Sequence, residues 1–340
     1  MNAQRVAIGM GGGGRLAAEL IEEVFLAGYG NELLNRLDDA AEVEFGPARL
    51  AFTTDAFTVK PLFFPGGDIG RLAVCGTSND LSVKGARPRH LSAAFIIEEG
   101  FPLDELRRIV GSMRASATEA GVEIVAGDTK VVRRGEADGI FIVTAGVGEL
   151  IEGMDISCGA ARPGDAIIVS GAVGCHGASI LNAREKLGFT PAIVSDVAPV
   201  RGIVEALEPA AAAVHAMRDP TRGGLASALN EIAAASGVSV RIFEDRVPVA
   251  PGVRACCGVL GLDPLYMACE GRAVIVADPA RAGEILRLVA KTPGGRGAAL
   301  IGEVTGRRLE PGLPPVAVET GIGTKRFLPL LDGEPIPRIC

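Results

Sequence analysis

At 340 residues the chain is long enough for two domains, each with a core of its own. A formal net charge of −7, with acids and bases interspersed, gives no sign of a nucleic-acid surface, and no apolar run is long enough to cross a bilayer. Seven cysteines without a Cys-x-x-Cys, behind a start (Met1-Asn2-Ala3-Gln4-Arg5) that lacks a signal-peptide pattern, predict a reducing cytoplasm and argue against a disulfide framework or a zinc site.

In chain order, Gly11, Gly12, Gly13 and Gly14 precede Leu16, Leu20 and Val24, a helical apolar stripe, so a glycine loop opens a helix there. Residues 48–54 read as a strand ending at Asp55, and 68–86 as a helix-like stretch. Residues 90–97 read as a strand, and Pro102 with Asp104 opens a helix carrying Leu103, Leu106, Val110 and Met113. Strands are predicted at 122–125 and 140–147, with Gly127-Asp128-Thr129-Lys130 after the first. A second unit begins near Gly153 with a turn at Arg162-Pro163-Gly164-Asp165. It alternates strands at 166–169, 238–243, 273–277 and 298–304 with helices around Leu181, at 223–235 and at 280–290. The expected division is 1–152, 153–325 and a tail, 326–340, in neither unit.

Three aspartates are read at loops that follow apolar segments: Asp55, Asp80 and Asp128. Carboxylates gathered at one sheet edge can hold Mg²⁺, which takes oxygen ligands and substrate phosphates; each alone also fits a turn or helix cap. The loop Gly11 to Gly13 can approach a polyphosphate through its N–H groups, although it lacks the Gly-Lys-Ser/Thr of a Walker loop, and a loose entry segment fits equally. Lys130 is one of few lysines among mostly arginine bases; beside Asp128 it can meet a phosphate oxygen or stand as a surface lysine. Glu270, in Ala268-Cys269-Glu270-Gly271, is either a turn glutamate or an acid whose pKa burial raises into the range of a base. Asp219-Pro220-Thr221-Arg222-Gly223-Gly224 opens a helix, as a cap, an anion approach, or both. His90, His176 and His215 show no ligand spacing.

The chain finishes Pro337-Arg338-Ile339-Cys340, after Pro329 and Pro335. Prolines make this stretch a semi-stiff extended arm, and a thiol at its tip suggests a carrier that moves an attached group to a catalytic centre. A frayed end is the other reading.

Taken together, Thr54-Asp55, Phe63-Phe64-Pro65-Gly66-Gly67-Asp68, Cys75-Gly76-Thr77-Ser78-Asn79-Asp80-Leu81, Gly127-Asp128-Thr129-Lys130-Val131-Val132, Asp219 to Gly224 and the terminal Pro-Arg-Ile-Cys resemble the HypE family, the carbamoyl dehydratases of nickel–iron hydrogenase maturation. The resemblance covers essentially the whole chain. Without the terminal motif it would mark only the wider superfamily of aminoimidazole ribonucleotide synthetase, selenophosphate synthetase and thiamine-monophosphate kinase.

The resemblance implies an α/β, two-domain aminoimidazole ribonucleotide synthetase-like fold, with the N-terminal sheets of a homodimer forming a barrel. It implies ATP and Mg²⁺ held by Gly11, Gly12, Gly13, Asp55, Asn79, Asp80, Asp128 and Thr129, with Asp55, Asp80 and Asp128 on the metal. A HypF-type carbamoyltransferase would load a carbamoyl group on Cys340, ATP would drive its dehydration to a thiocyanate with help from Lys130 and Glu270, and a HypC–HypD complex would receive the cyano group. A superfamily relative acting on a diffusible substrate, or a scaffold whose Cys340 binds iron or sulfur, are the other readings the residues leave open.

Overall fold

The computed structural model describes residues 6, 10, 14–46, 48–307, 313–333, 336 and 338–340. A short helix α1 (Arg15–Leu20) runs through a π-type stretch, Ile21–Leu26, into α2 (Ala27–Tyr29). Strands β1 (Ala41–Phe45) and β2 (Ala48–Phe57) follow, then the two-stranded hairpin of β3 (Phe63–Phe64) and β4 (Gly67–Asp68). Asp68 caps α3 (Ile69–Val83) by accepting from the N–H groups of Gly70 and Arg71. Then come β5 (Ala86–Glu98), α4 (Leu103–Ala120), β6 (Glu123–Val132) and β7 (Ile140–Leu150). The resulting sheet has the order β1-β2-β7-β5-β6 and is antiparallel except for the β5–β6 pair.

Strand β2 alternates: Ala51, Thr53 and Phe57 are buried toward α3, while Phe52 on the opposite face stays 48% exposed. Strand β6 is the sheet's edge, and every residue of it from Glu123 to Val131 is exposed.

The second sheet has seven strands, β8 (Ala166–Val169), β9 (Val214–Arg218), β10 (Val238–Phe243), β11 (Val274–Ala277), β12 (Ala299–Arg307), β13 (Val316–Glu319) and β14 (Lys325–Phe327), in the order β14-β13-β10-β12-β8-β11-β9. Strands β8 and β11 are wholly buried, which is why they read as unbroken apolar runs. Helices α5 (Cys175–Glu185), α6 (Arg201–Glu205), α7 (Gly224–Ser236), α8 (Pro251–Leu260) and α9 (Ala282–Ala290) complete the unit. Among the described residues no helix is long and apolar enough to cross a membrane.

The largest core is shared between the two units. It joins Phe57, Ile69, Leu72 and Ile109 to Ile180, Val253 and Met267, and it includes Ile336 and Ile339 near the end of the chain. Two expectations change here. The tail does not begin at Arg326: residues 326 and 327 lie in β14, and Leu328 is fully buried in the second core. Nor is the tail free in this structure, because burying Ile336 and Ile339 stabilises the docked arm by about 1.5–3 kcal/mol each.

The units are also tied by polar contacts. Pro65 O accepts from Ser195 N at 2.9 Å and from Ser179 Oγ at 3.1 Å. Gly66 has φ +99°, and a Cβ there would lie 2.7 Å from Ser195 O, so only glycine fits this crossing.

Candidate active site

Strand β2 and helix α3 meet face to face, and their spacings match: Thr77 Oγ1 donates to Asp55 Oδ2 at 2.9 Å, and Thr53 Oγ1 donates to Asp80 Oδ2 at 3.0 Å. Positions i and i+3 of a helix thus pair with i and i+2 of a strand, each aspartate held by a threonine of the other element. Asp55 lies inside β2, and Asp80 inside α3, not at loops after them.

Two further acids complete the centre. Carboxylate oxygens of Asp39, Asp80 and Asp219 all lie within 4.8 Å of one another. Asp39 is anchored by Arg218, whose Nη1 is 3.3 Å from it while its Nε sits 2.6 Å from Glu231. The adjacent Asp38 is buried against Lys84 Nζ at 2.7 Å. Asp219 is 5% exposed, and among the described residues its Oδ2 has no hydrogen-bond partner. Burial raises the pKa of Asp39, Asp55, Asp80 and Asp219, and neighbouring carboxylates push Asp80 and Asp219 up further. Converging oxygens, an orphaned buried carboxylate oxygen and mutual repulsion suit a hard divalent cation such as Mg²⁺.

Glu270 stands beside this centre. It is 2% exposed, its Oε1 has no hydrogen-bond partner among the described residues, and burial, with Asp219, Asp196 and Asp55 nearby, raises its pKa well above the usual carboxylate value. Glu270 lies in a bend and is buried there.

Three expected ligands, Asp128, Thr129 and Asn79, and the expected catalytic Lys130 are placed elsewhere. Asp128 and Thr129 lie in β6; Asp55 pairs with Thr144, Thr144 with Ala93 and Ala93 with Gly127, so Asp55 and Asp128 are three strand spacings apart, roughly 14 Å. One chain therefore cannot bring Asp128 to the same ion as Asp55 and Asp80, and Lys130, two residues on, is equally remote. Asn79 is 1% exposed and engaged at both ends of its amide: Nδ2 donates to Ala198 O and Glu270 O, and Oδ1 accepts from Val200 N at 2.8 Å. It clamps α3 to the second unit.

Gly11, Gly12 and Gly13 lie outside the described residues. Just after them, the first N–H groups of α1 are occupied by the tail: Arg15 N donates to Leu331 O at 2.8 Å and Leu16 N to Asp332 O at 3.3 Å.

Asp39 and Asp219 were not assigned to the metal from the sequence. Asp39 carries no motif, whereas Asp219 sits before two glycines of positive φ, Gly223 and Gly224, the second packed so closely that a Cβ would lie 2.6 Å from Met267 O.

Cys340 is half-buried, and Thr58 N donates to its main-chain O at 3.2 Å. Thr58 follows Asp55 by three residues, roughly 10 Å along an extended chain. Cys340 is thus moored on the segment that continues β2, the strand that carries Asp55.

Residues 37–150 match the family model described as AIR synthase related protein, N-terminal domain, and residues 162–311 match its C-terminal domain. Carbamoyl dehydratase HypE of Azotobacter vinelandii is 48% identical over 330 residues, 97% of this chain and 96% of that protein. The fold is similar to that of HypE in a crystal structure of a HypE–HypF complex (TM-score 0.87, 48% identity, covering 92% of this chain and 99% of that one). It is also similar to that of hydrogenase maturation protein HypE in complex with ATP (TM-score 0.81, 47% identity, 96% and 98% covered).

Proposed function

Since the chain belongs to the HypE family of carbamoyl dehydratases, we propose that it converts a carbamoyl group carried on its own Cys340 into a thiocyanate at the expense of ATP. The observation that carries this reading is the mooring of Cys340 at the end of β2, in line with Asp55 and the acidic centre.

A HypF-type carbamoyltransferase loads the sulfur, giving S–C(=O)–NH₂. The amide oxygen then attacks the γ-phosphate of ATP, ADP leaves, and the O-phosphorylated imidate loses phosphate and its N–H proton to give S–C≡N. An amide oxygen is a poor leaving group until phosphorylated, and phosphoryl transfer depends chiefly on positioning and charge neutralisation. Asp39, Asp80 and Asp219, with Asp55 beside them, would hold Mg²⁺, which supplies that neutralisation when bound. Glu270, when ionised in its buried setting, is a strong enough base to take the N–H proton. The cyano group passes onward to a HypC–HypD complex, in a reducing cytoplasm.

The exposed edge strand β6 and the uncovered apolar Phe52 and Ile96 of the N-terminal sheet fit a homodimer that closes the two sheets into a barrel. Asp128, Thr129 and Lys130 then serve the site of the other copy, with Lys130 stabilising charge on the phosphorylated oxygen.

The test is an intact-protein mass after incubation with a HypF-type partner, carbamoyl phosphate and Mg·ATP. A carbamoyl adduct on Cys340 that loses one water only when ATP is present supports the reading. An unmodified Cys340 beside a demonstrably active partner overturns it in favour of a free small-molecule substrate.

A further inference from the structure

Three side chains remote from the acidic centre converge on the last residues of the chain. His176, fully buried at the start of α5, has Nε2 2.6 Å from Ile339 O and Nδ1 2.8 Å from Ser195 Oγ. Ser195 Oγ already accepts from Val197 N, so its hydrogen is free for Nδ1, leaving Nε2 as the N–H that donates to the Ile339 carbonyl. Two turns along α5, Arg184 donates from Nη2 to Arg338 O at 2.7 Å and from Nε to Lys60 O at 2.9 Å. Asp138 pairs with the Arg338 guanidinium and, at 2.8 Å, with Lys60.

The contacts form a pattern. Thr58 N meets Cys340 O and Lys60 N meets Arg338 O, so the tail runs antiparallel to the segment that continues β2. Each of the three successive carbonyls, 338, 339 and 340, has a donor. Arg338 takes φ +57°, turning its side chain back so that Nε donates to Thr58 O at 2.9 Å. Hydrophobic collapse of a chain end would require only the buried isoleucines; it would not match donors to consecutive carbonyls.

We propose that Asp138, His176 and Arg184 form a dock that holds residues 338–340 along the end of β2 and positions Cys340 for dehydration, and that this dock releases the tail for loading. This rests on the reading of Cys340 as the carbamoyl carrier. The dock recognises main-chain oxygens and the Arg338 guanidinium, atoms that stay unchanged when the thiol becomes a thiocarboxamide or a thiocyanate. One dock therefore accepts the thiol, thiocarboxamide and thiocyanate forms alike, and the three residues are positioning residues.

The experiment compares full-length parent with Asp138→Asn, Arg184→Gln and His176→Gln, following alkylation of Cys340 by iodoacetamide with peptide mass mapping. Losing the charge-assisted hydrogen bond of Arg184 speeds Cys340 alkylation by about tenfold or more, and losing the half-exposed Asp138 pair speeds it by about two- to fivefold, while half-buried Cys175 reacts at the parent rate. Equal Cys340 rates in parent, Asp138→Asn and Arg184→Gln overturn the dock, as does a parallel rise at Cys175, which reports general loosening. With the HypF-type partner and ATP, the undocked variants accept carbamoyl at the parent rate or faster and lose water more slowly; slowed loading with unchanged water loss overturns the positioning role. If the parent never gains a carbamoyl group, the carrier reading fails while the alkylation rates still decide the dock.

Discussion

Lys84 Nζ lies 2.7 Å from Asp38 Oδ2, with both side chains almost wholly buried. Lys84 also donates to Ile156 O, and Asp38 accepts from Cys158 N, so the pair fastens the loop before β1 to the end of α3 and to the linker between the units. Asp39, the next residue, reaches the acidic centre because of that fastening.

Replacing Lys84 with methionine leaves Asp38 charged and unpaired in the interior. The expected cost is on the order of 3–5 kcal/mol in urea unfolding, with a weaker Mg²⁺-induced rise in melting temperature. A loss below about 1 kcal/mol would show that Asp38 finds water or another partner.

Glu270→Gln keeps the shape of the side chain and removes the base. Carbamoylation of Cys340 proceeds at the parent rate, while ATP-driven loss of water falls by about 10²–10⁴-fold. Thiocyanate formation at the parent rate in a mass time course would remove Glu270 from the chemistry.

Asp55→Asn and Asp128→Asn disable different halves of a shared site if Asp128 acts across a dimer. Each variant alone is inactive in dehydration. A refolded equimolar mixture recovers about a quarter of parent activity, because mixed two-fold dimers carry one intact site. A mixture no better than its components would rule out action in trans.

Stability depends on His176. Burial lowers its pKa to about 4, against an ordinary value near 6.5 in the unfolded chain. Between these values the unfolded state binds the extra proton, so stability is complete above about pH 6.5 and declines as pH falls toward 4. The loss is on the order of 3 kcal/mol, and His176→Gln should flatten that part of a melting-temperature profile. An unchanged slope in the variant would assign the acid sensitivity to other groups.

Local pattern carries the elements best. The wholly buried β8, the alternating β10 and α4 behind Pro102 match their sequence readings closely because each obeys one period over its length. The segment Gly127 to Val132 reads as a loop because glycine and aspartate disfavour strands, yet it continues β6, where backbone pairing to β5 decides. Asn79, expected as a ligand only through the family resemblance, is next to Asp80, but adjacent helical residues point about 100° apart, and its amide meets the second unit. Asp39 was invisible: its placement rests on Lys84 and Arg218, far away in the sequence.

The Asn79 clamp bears on how the catalyst works. Its amide joins the helix that carries Asp80 directly to the main chain of Glu270 and to residues 198–200. The proposed metal-binding acid, Asp80, and the proposed base, Glu270, are therefore tied to a single frame by this amide. In the proposed cycle the part that travels is the tethered reactant, brought to an anvil already set.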